Sequence, residues 1–163
     1  MASPVLFGMI NFLHDFFTAL WIGGLAFTVL ILMPVVKKYF EEVREGEQFL
    51  NKTQKRLKII VYISMVGLAV TGILMSRQAL TKHFDGPFSF TNTYSTLLSV
   101  KHILTILMVA IGLTRSQILD RLKTESMALM KSRKILIVVN LVLGVAVLVL
   151  SGMGAAYGAM PVI

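Results

Sequence analysis

The chain has 163 residues and no cysteine, which excludes disulfides, thiolate metal sites, iron–sulfur clusters and covalent c-type haem attachment. Hydrophobic residues make up 56% and charged residues 15%, with a mean hydropathy of +0.78. A soluble domain carries about a quarter of its residues as charges, so this is the composition of a polytopic membrane protein of a single domain, residues 1–163. The net charge of +8 would suggest nucleic acid in a soluble chain. Here it follows from Lys and Arg held on the cytoplasmic side, and no nucleic-acid partner is expected.

Four apolar segments follow one another, at about 5–36, 57–80, 94–117 and 134–160. Each exceeds the roughly 20 residues that cross a bilayer as a helix. The predicted fold is all-α: an integral membrane up-down-up-down four-helix bundle. The first segment has no basic leader and no small-residue cleavage site, and it reads as a retained helix. Pro34 is expected to kink it near its inner end. After it come Lys37, Lys38, Arg44, Lys52, Lys55, Arg56 and Lys58, and after the third segment Arg115, Arg121, Lys123, Lys131, Arg133 and Lys134. The tails carry no basic residue, so the positive-inside rule places both termini on the extracytoplasmic side of the plasma membrane. The cytoplasmic segments keep a helical spacing of apolar residues and predict amphipathic extensions, broken near Gly46 and Thr124. The outer loop turns at Asp85-Gly86-Pro87. The small residues of the last segment suit close packing in lipid, including self-association into a homo-oligomer.

The chemistry lies in the histidines. His14 and His102 fall inside apolar segments, where an ionisable group costs at least ~2.5 kcal/mol on insertion scales and is by default a functional candidate. Counted from the outer ends of their helices, both lie about 12–13 Å deep. On diagonal helices of a bundle, two inward imidazoles could ligate one metal, haem iron above all. Gly72 and Gly152 fall near the same level, where a flat macrocycle could approach backbone. Lys101 could reach haem propionates or pair with Asp15. The leading expectation is therefore one b-type haem between His14 and His102, serving electron transfer with a redox partner. The alternative is copper binding or transport by the same histidines, with His83 and the outer methionines Met9, Met75, Met153 and Met160 as soft ligands. A third reading is a structural subunit whose buried histidines hydrogen-bond neighbouring helices and hold no cofactor. No complete catalytic constellation is present.

The run Leu13-His14 through Trp21-Ile22-Gly23-Gly24 to Pro34 resembles the first helix of CopD-like (copper resistance D) membrane proteins. Val70-Thr71-Gly72-Ile73-Leu74 resembles their Thr-Gly segment, and Asn92-Thr93-Tyr94-Ser95-Thr96-Leu97-Leu98-Ser99-Val100-Lys101 their Tyr-Gly-x-Leu-Leu-x-Lys helix entry. Ser95 stands where that family often has glycine, and Thr114-Arg115 where Asn-Arg is usual. The resemblance implies copper handling at the outer face of the membrane, with an extracytoplasmic copper-binding protein as partner. Related four-helix proteins of the HemJ type bind haem, but their Tyr-x-x-Arg pattern after the tryptophan is missing here. Di-haem superoxide-oxidising cytochromes b need four histidine ligands, and this chain has three histidines.

The orientation has a direct test, because the absence of cysteine gives a background-free thiol assay. In intact cells, Ser3→Cys is expected to react with an impermeant maleimide and Gln48→Cys only after permeabilisation. The reverse pattern would overturn the assignment.

Overall fold

The computed structural model describes residues 3–79, 88–116 and 127–159. All regular structure among them is helical: α1 (Pro4–Ala26), a π-helical stretch (Phe27–Leu32), α2 (Met33–Tyr39), α3 (Val43–Ala79), α4 (Thr93–Thr114) and α5 (Met127–Ala159). Four spans are long and apolar enough to cross a membrane: Pro4–Tyr39, Val43–Ser76, Thr93–Thr114 and Lys131–Tyr157. The protein is thus a multi-pass membrane protein built from four long helices.

The helix starts follow local chemistry. Ser3 caps α1, its Oγ accepting from the Leu6 N–H at 3.3 Å, with Pro4 in the first turn where a missing N–H does no harm. Asn92 caps α4, its Oδ1 accepting from the Ser95 N–H at 2.7 Å. Near the inner end of the first span, Pro34 brings no N–H to the ladder. The turns just before it widen, and the Met33 N–H reaches back five residues to the Thr28 carbonyl. The strain expected at Pro34 is therefore taken up as a π-helical stretch, one of the recognised responses to an interrupted ladder.

Contacts group the chain into two compact units, divided between Met75 and Ser76. In the first, α1, the π stretch and α2 run antiparallel to α3. His14 meets Thr71, Phe17 meets Gly67, and Leu32 and Val36 join Leu50 in a core completed by Met33 and Phe40. Buried and half-buried positions step by three and four residues along both partners: Asn11, His14, Thr18, Trp21, Leu25, Thr28, Leu32 and Val36 against Leu50, Gln54, Leu57, Val61, Ser64, Leu68, Thr71 and Met75. That alternation is the seam of a helix pair packed at a shallow angle. In the second unit α4 packs on α5, whose inward positions Ile137, Asn140, Gly144, Val147, Ser151 and Gly154 keep the same rhythm.

The sequence placed the second helix at 57–80, but α3 begins at Val43. Hydropathy marks only its apolar half, while its first four turns are amphipathic. The expected break at Gly46 falls instead at 40–42. Gly46 lies inside α3, where a Cβ would stand 2.8 Å from Val36 Cγ1 and 3.3 Å from Phe40 Cβ. Its role is close approach and not termination. The second expected break, at Thr124, lies outside the described residues. The first span is 36 residues long. At 1.5 Å per residue it reaches about 54 Å, well past a hydrocarbon core of about 30 Å. The helix pair therefore extends beyond the membrane at one end.

Gly46→Ala should lower the stability of the detergent-solubilised protein by about 1–3 kcal/mol through overpacking against a stiff, buried valine, less up to about 1 kcal/mol of gained helix propensity. Gly8→Ala, where a Cβ meets nothing within 4 Å, should not lower it. Equal unfolding midpoints for the two variants would refute this packing role.

Candidate functional site

His14 lies ten residues into α1, about 15 Å from its start. It occupies the seam facing α3. Its Nδ1 is 2.8 Å from Thr71 Oγ1, and Thr71 Oγ1 is 2.7 Å from the Gly67 carbonyl oxygen. A hydroxyl has one proton. Two oxygens at 2.7 Å need that proton between them, so the hydroxyl donates to Gly67 and can only accept from the imidazole. His14 therefore carries its proton on Nδ1, and the lone pair of the neutral ring is on Nε2. One turn along the same seam, the Phe17 ring lies so close to Gly67 that any Cβ there would overlap it. A Cβ on Gly72 would stand 3.8 Å from His14 Cε1, an ordinary contact. The chain's own packing thus does not require glycine at this position.

His102 stands nine residues into α4, about 14 Å from its start at Thr93. Its Nδ1 lies 2.6 Å from the Leu98 carbonyl oxygen. A carbonyl only accepts, so this imidazole too holds its proton on Nδ1, with the lone pair on Nε2. Ser95 and Ser99, at 0% exposure, lie outward of it on the same face. Ser99 Oγ donates to the Ser89 carbonyl at 2.8 Å, so the segment before α4 folds back over this end of the helix.

The two histidines thus sit in different units but share one chemical state. Imidazoles that bind metals through Nε2 almost always donate Nδ1–H to an oxygen, which fixes the tautomer and aims the lone pair. Each ring here has that oxygen, a threonine hydroxyl for His14 and a main-chain carbonyl for His102.

The remaining predicted residues divide. Lys101 is half-buried beside His102, and its carbonyl accepts from Thr105 Oγ1 at 2.8 Å. Asp15 is exposed and forms no ion pair with a described residue. Gly152 is exposed with open space at its Cβ position, while the glycines that α5 buries are Gly144 and Gly154. Met9 and Met153 are exposed and Met75 is half-buried. His83 and Met160 lie outside the described residues. No group of three or more His, Cys, Asp or Glu that could hold a metal ion occurs among the described residues. The hydrogen-bonding role of Thr71 was missed in the sequence. A Thr one residue before Gly72, counted from the opposite end of an antiparallel pair, was the available signal. Trp21 is 2% exposed, and its Nε1–H has no partner among the described residues.

The family model for copper resistance protein D matches residues 51–153. The match includes Thr71, Gly72, His102 and Gly152, and it begins after His14. Comparison with curated proteins and with solved structures gives no match.

Nitrogen-15 spectra of histidine-labelled protein above the imidazole pKa should show both His14 and His102 as Nδ1–H tautomers. Thr71→Val removes the acceptor, and the His14 signal alone should move toward the Nε2–H form. An Nε2–H signal from His14 in the unmodified protein would contradict this hydrogen-bond assignment.

Proposed function

The chain belongs to the copper resistance protein D (CopD) family, and from that membership we propose that it binds copper within the membrane through His14 and His102, as a step in copper handling. Copper is the cargo in this reading. The observation that supports it is the shared tautomer: each ring sets Nδ1–H against an oxygen, the arrangement that metal-binding imidazoles use to make Nε2 the ligand atom. Imidazole suits copper in either oxidation state, and the thioethers of Met9, Met75 and Met153 favour the cuprous ion. An extracytoplasmic copper-binding protein would be the natural exchange partner.

A second reading is the b-type haem expected from the sequence, which would use the same two Nε2 atoms and supply one-electron chemistry when bound. Gly72 favours it: the chain's own packing leaves that glycine unexplained, and a flat macrocycle beside His14 would explain it.

Copper titration with a competing chelator, together with the absorption spectrum of detergent-purified protein, tests both readings. The copper reading predicts a colourless protein that binds cuprous ion. Its affinity should fall by at least about 100-fold in His14→Ala and His102→Ala, and by about 10- to 100-fold in Thr71→Val, which removes only the positioning hydrogen bond. Loss of a single copper in either alanine variant means one shared ion, and independent loss of two means separate sites. A sharp low-spin haem band abolished by both alanine substitutions would replace copper by haem. Protein that binds neither would leave the histidines a structural role.

A further inference from the structure

The outer side of α3 changes character abruptly. Stepping by three and four residues, it presents Lys52, Lys55 and Arg56, then Ile59, Ile63, Val66 and Val70, all exposed. This side is opposite the seam that packs on the first span. Its apolar part has the composition of a lipid-facing surface, and the three cations stand on the turn where that surface ends. One position over, Lys58 Nζ lies 5.8 Å from the centroid of the Tyr62 ring, a cation and an aromatic at the same level. Basic and aromatic anchors of this kind mark the headgroup layer.

Among the described residues, none of Lys52, Lys55 and Arg56 makes a side-chain hydrogen bond or ion pair. The acidic residues of this unit's inner end, Glu41, Glu42, Glu45 and Glu47, all precede the cations and lie toward the far tip of the helix pair. Lys37 and Lys38, exposed at the end of α2, add positive charge to the same end of the unit. On α3 the cluster of Lys52, Lys55 and Arg56 thus stands where the apolar face stops, and the glutamates of the same unit lie a turn or more beyond it.

We propose that Lys52, Lys55 and Arg56 form a binding surface for the headgroups of anionic phospholipids. Charge complementarity calls for an anion. Continuity with Ile59, Ile63 and Val66 makes it a lipid, because the acyl chains of a molecule whose phosphate meets Arg56 would run along that apolar face. Arg56 can engage a phosphate with two donors at once, and the lysines supply point charges beside it. The proposal is independent of whether copper or haem occupies the histidines.

The test uses the full chain in nanodiscs of mixed phosphatidylcholine and phosphatidylglycerol, followed by gentle detergent extraction and mass-spectrometric counting of retained lipids. Phosphatidylglycerol should be enriched over the bulk ratio, and enrichment should fall by up to about fivefold for each cation removed. Lys52→Gln/Lys55→Gln/Arg56→Gln should bring it to the bulk ratio. Glu41→Gln/Glu42→Gln/Glu45→Gln should leave it at or above the unmodified level. The single variants Lys52→Gln and Lys55→Gln provide the same readout should the triple variant fail to fold. Enrichment that survives in all three cation variants overturns the proposal. So does enrichment that excess inorganic phosphate abolishes at constant ionic strength, since that would mark a free-anion site. Retention of an acidic protein in place of lipid would also overturn it.

Discussion

A polar side chain inside hydrocarbon has few partners, and leaving it without one costs several kcal/mol. That constraint organises this protein. Thr18, Thr28, Ser64, Thr71 and Thr105 all direct their hydroxyl protons to the carbonyl one turn back. Each oxygen is thereby left as an acceptor alone. At Thr71 the acceptor is used by His14, and this one contact both ties α1 to α3 and settles which imidazole nitrogen is basic. The chemistry of the candidate site is thus a consequence of how a helix hides a hydroxyl. In the copper reading proposed above, this hydrogen-bond geometry is the reason why these nitrogens would bind the metal.

The first helical span is longer than a membrane needs, and its structure changes along its length accordingly. From Asn11 to Trp21 the seam is polar or aromatic, whereas from Leu25 inward it is mostly aliphatic. The π-helical stretch lies within the aliphatic part, just ahead of Pro34. Beyond it, Leu32, Val36, Leu50 and Phe40 close a small core around Gly46. One helix pair thus carries a chemical seam at the Ser3 end of its first span and a packed extension at the Phe40 end.

Much of this was legible in the residues. Four long apolar runs gave four long helices, and His14 and His102 stood out because ionisable groups are rare in such runs. The resemblance carried by Val70-Thr71-Gly72 and the Asn92–Lys101 run pointed to the family that the comparison shows. What escaped had physical causes. The amphipathic extension of α3 was expected, but its start at Val43 was placed near Gly46 because an amphipathic helix leaving a membrane has no hydropathy edge. Gly46 looked like a stop because glycine signals both termination and close approach, and only the neighbouring Val36 distinguishes them. Thr71 had no assigned role because the register between two helices is a tertiary property. Asp15 was a candidate partner by adjacency in sequence, yet neighbours on a helix point in different directions, and it faces outward. The choice of bound metal was not legible at all, since two imidazoles serve copper and haem iron alike.

The chain contains one tryptophan. Trp21 lies seven residues past His14 on the same side of α1, about 10 Å deeper, with its indole enclosed and its N–H unanswered. An indole held dry and without a hydrogen-bond acceptor emits at the blue end of its range. The tryptophan emission of this protein therefore originates from a single point two turns beneath the imidazole. The molecule thus has a built-in optical reporter at one known position on α1, seven residues from His14.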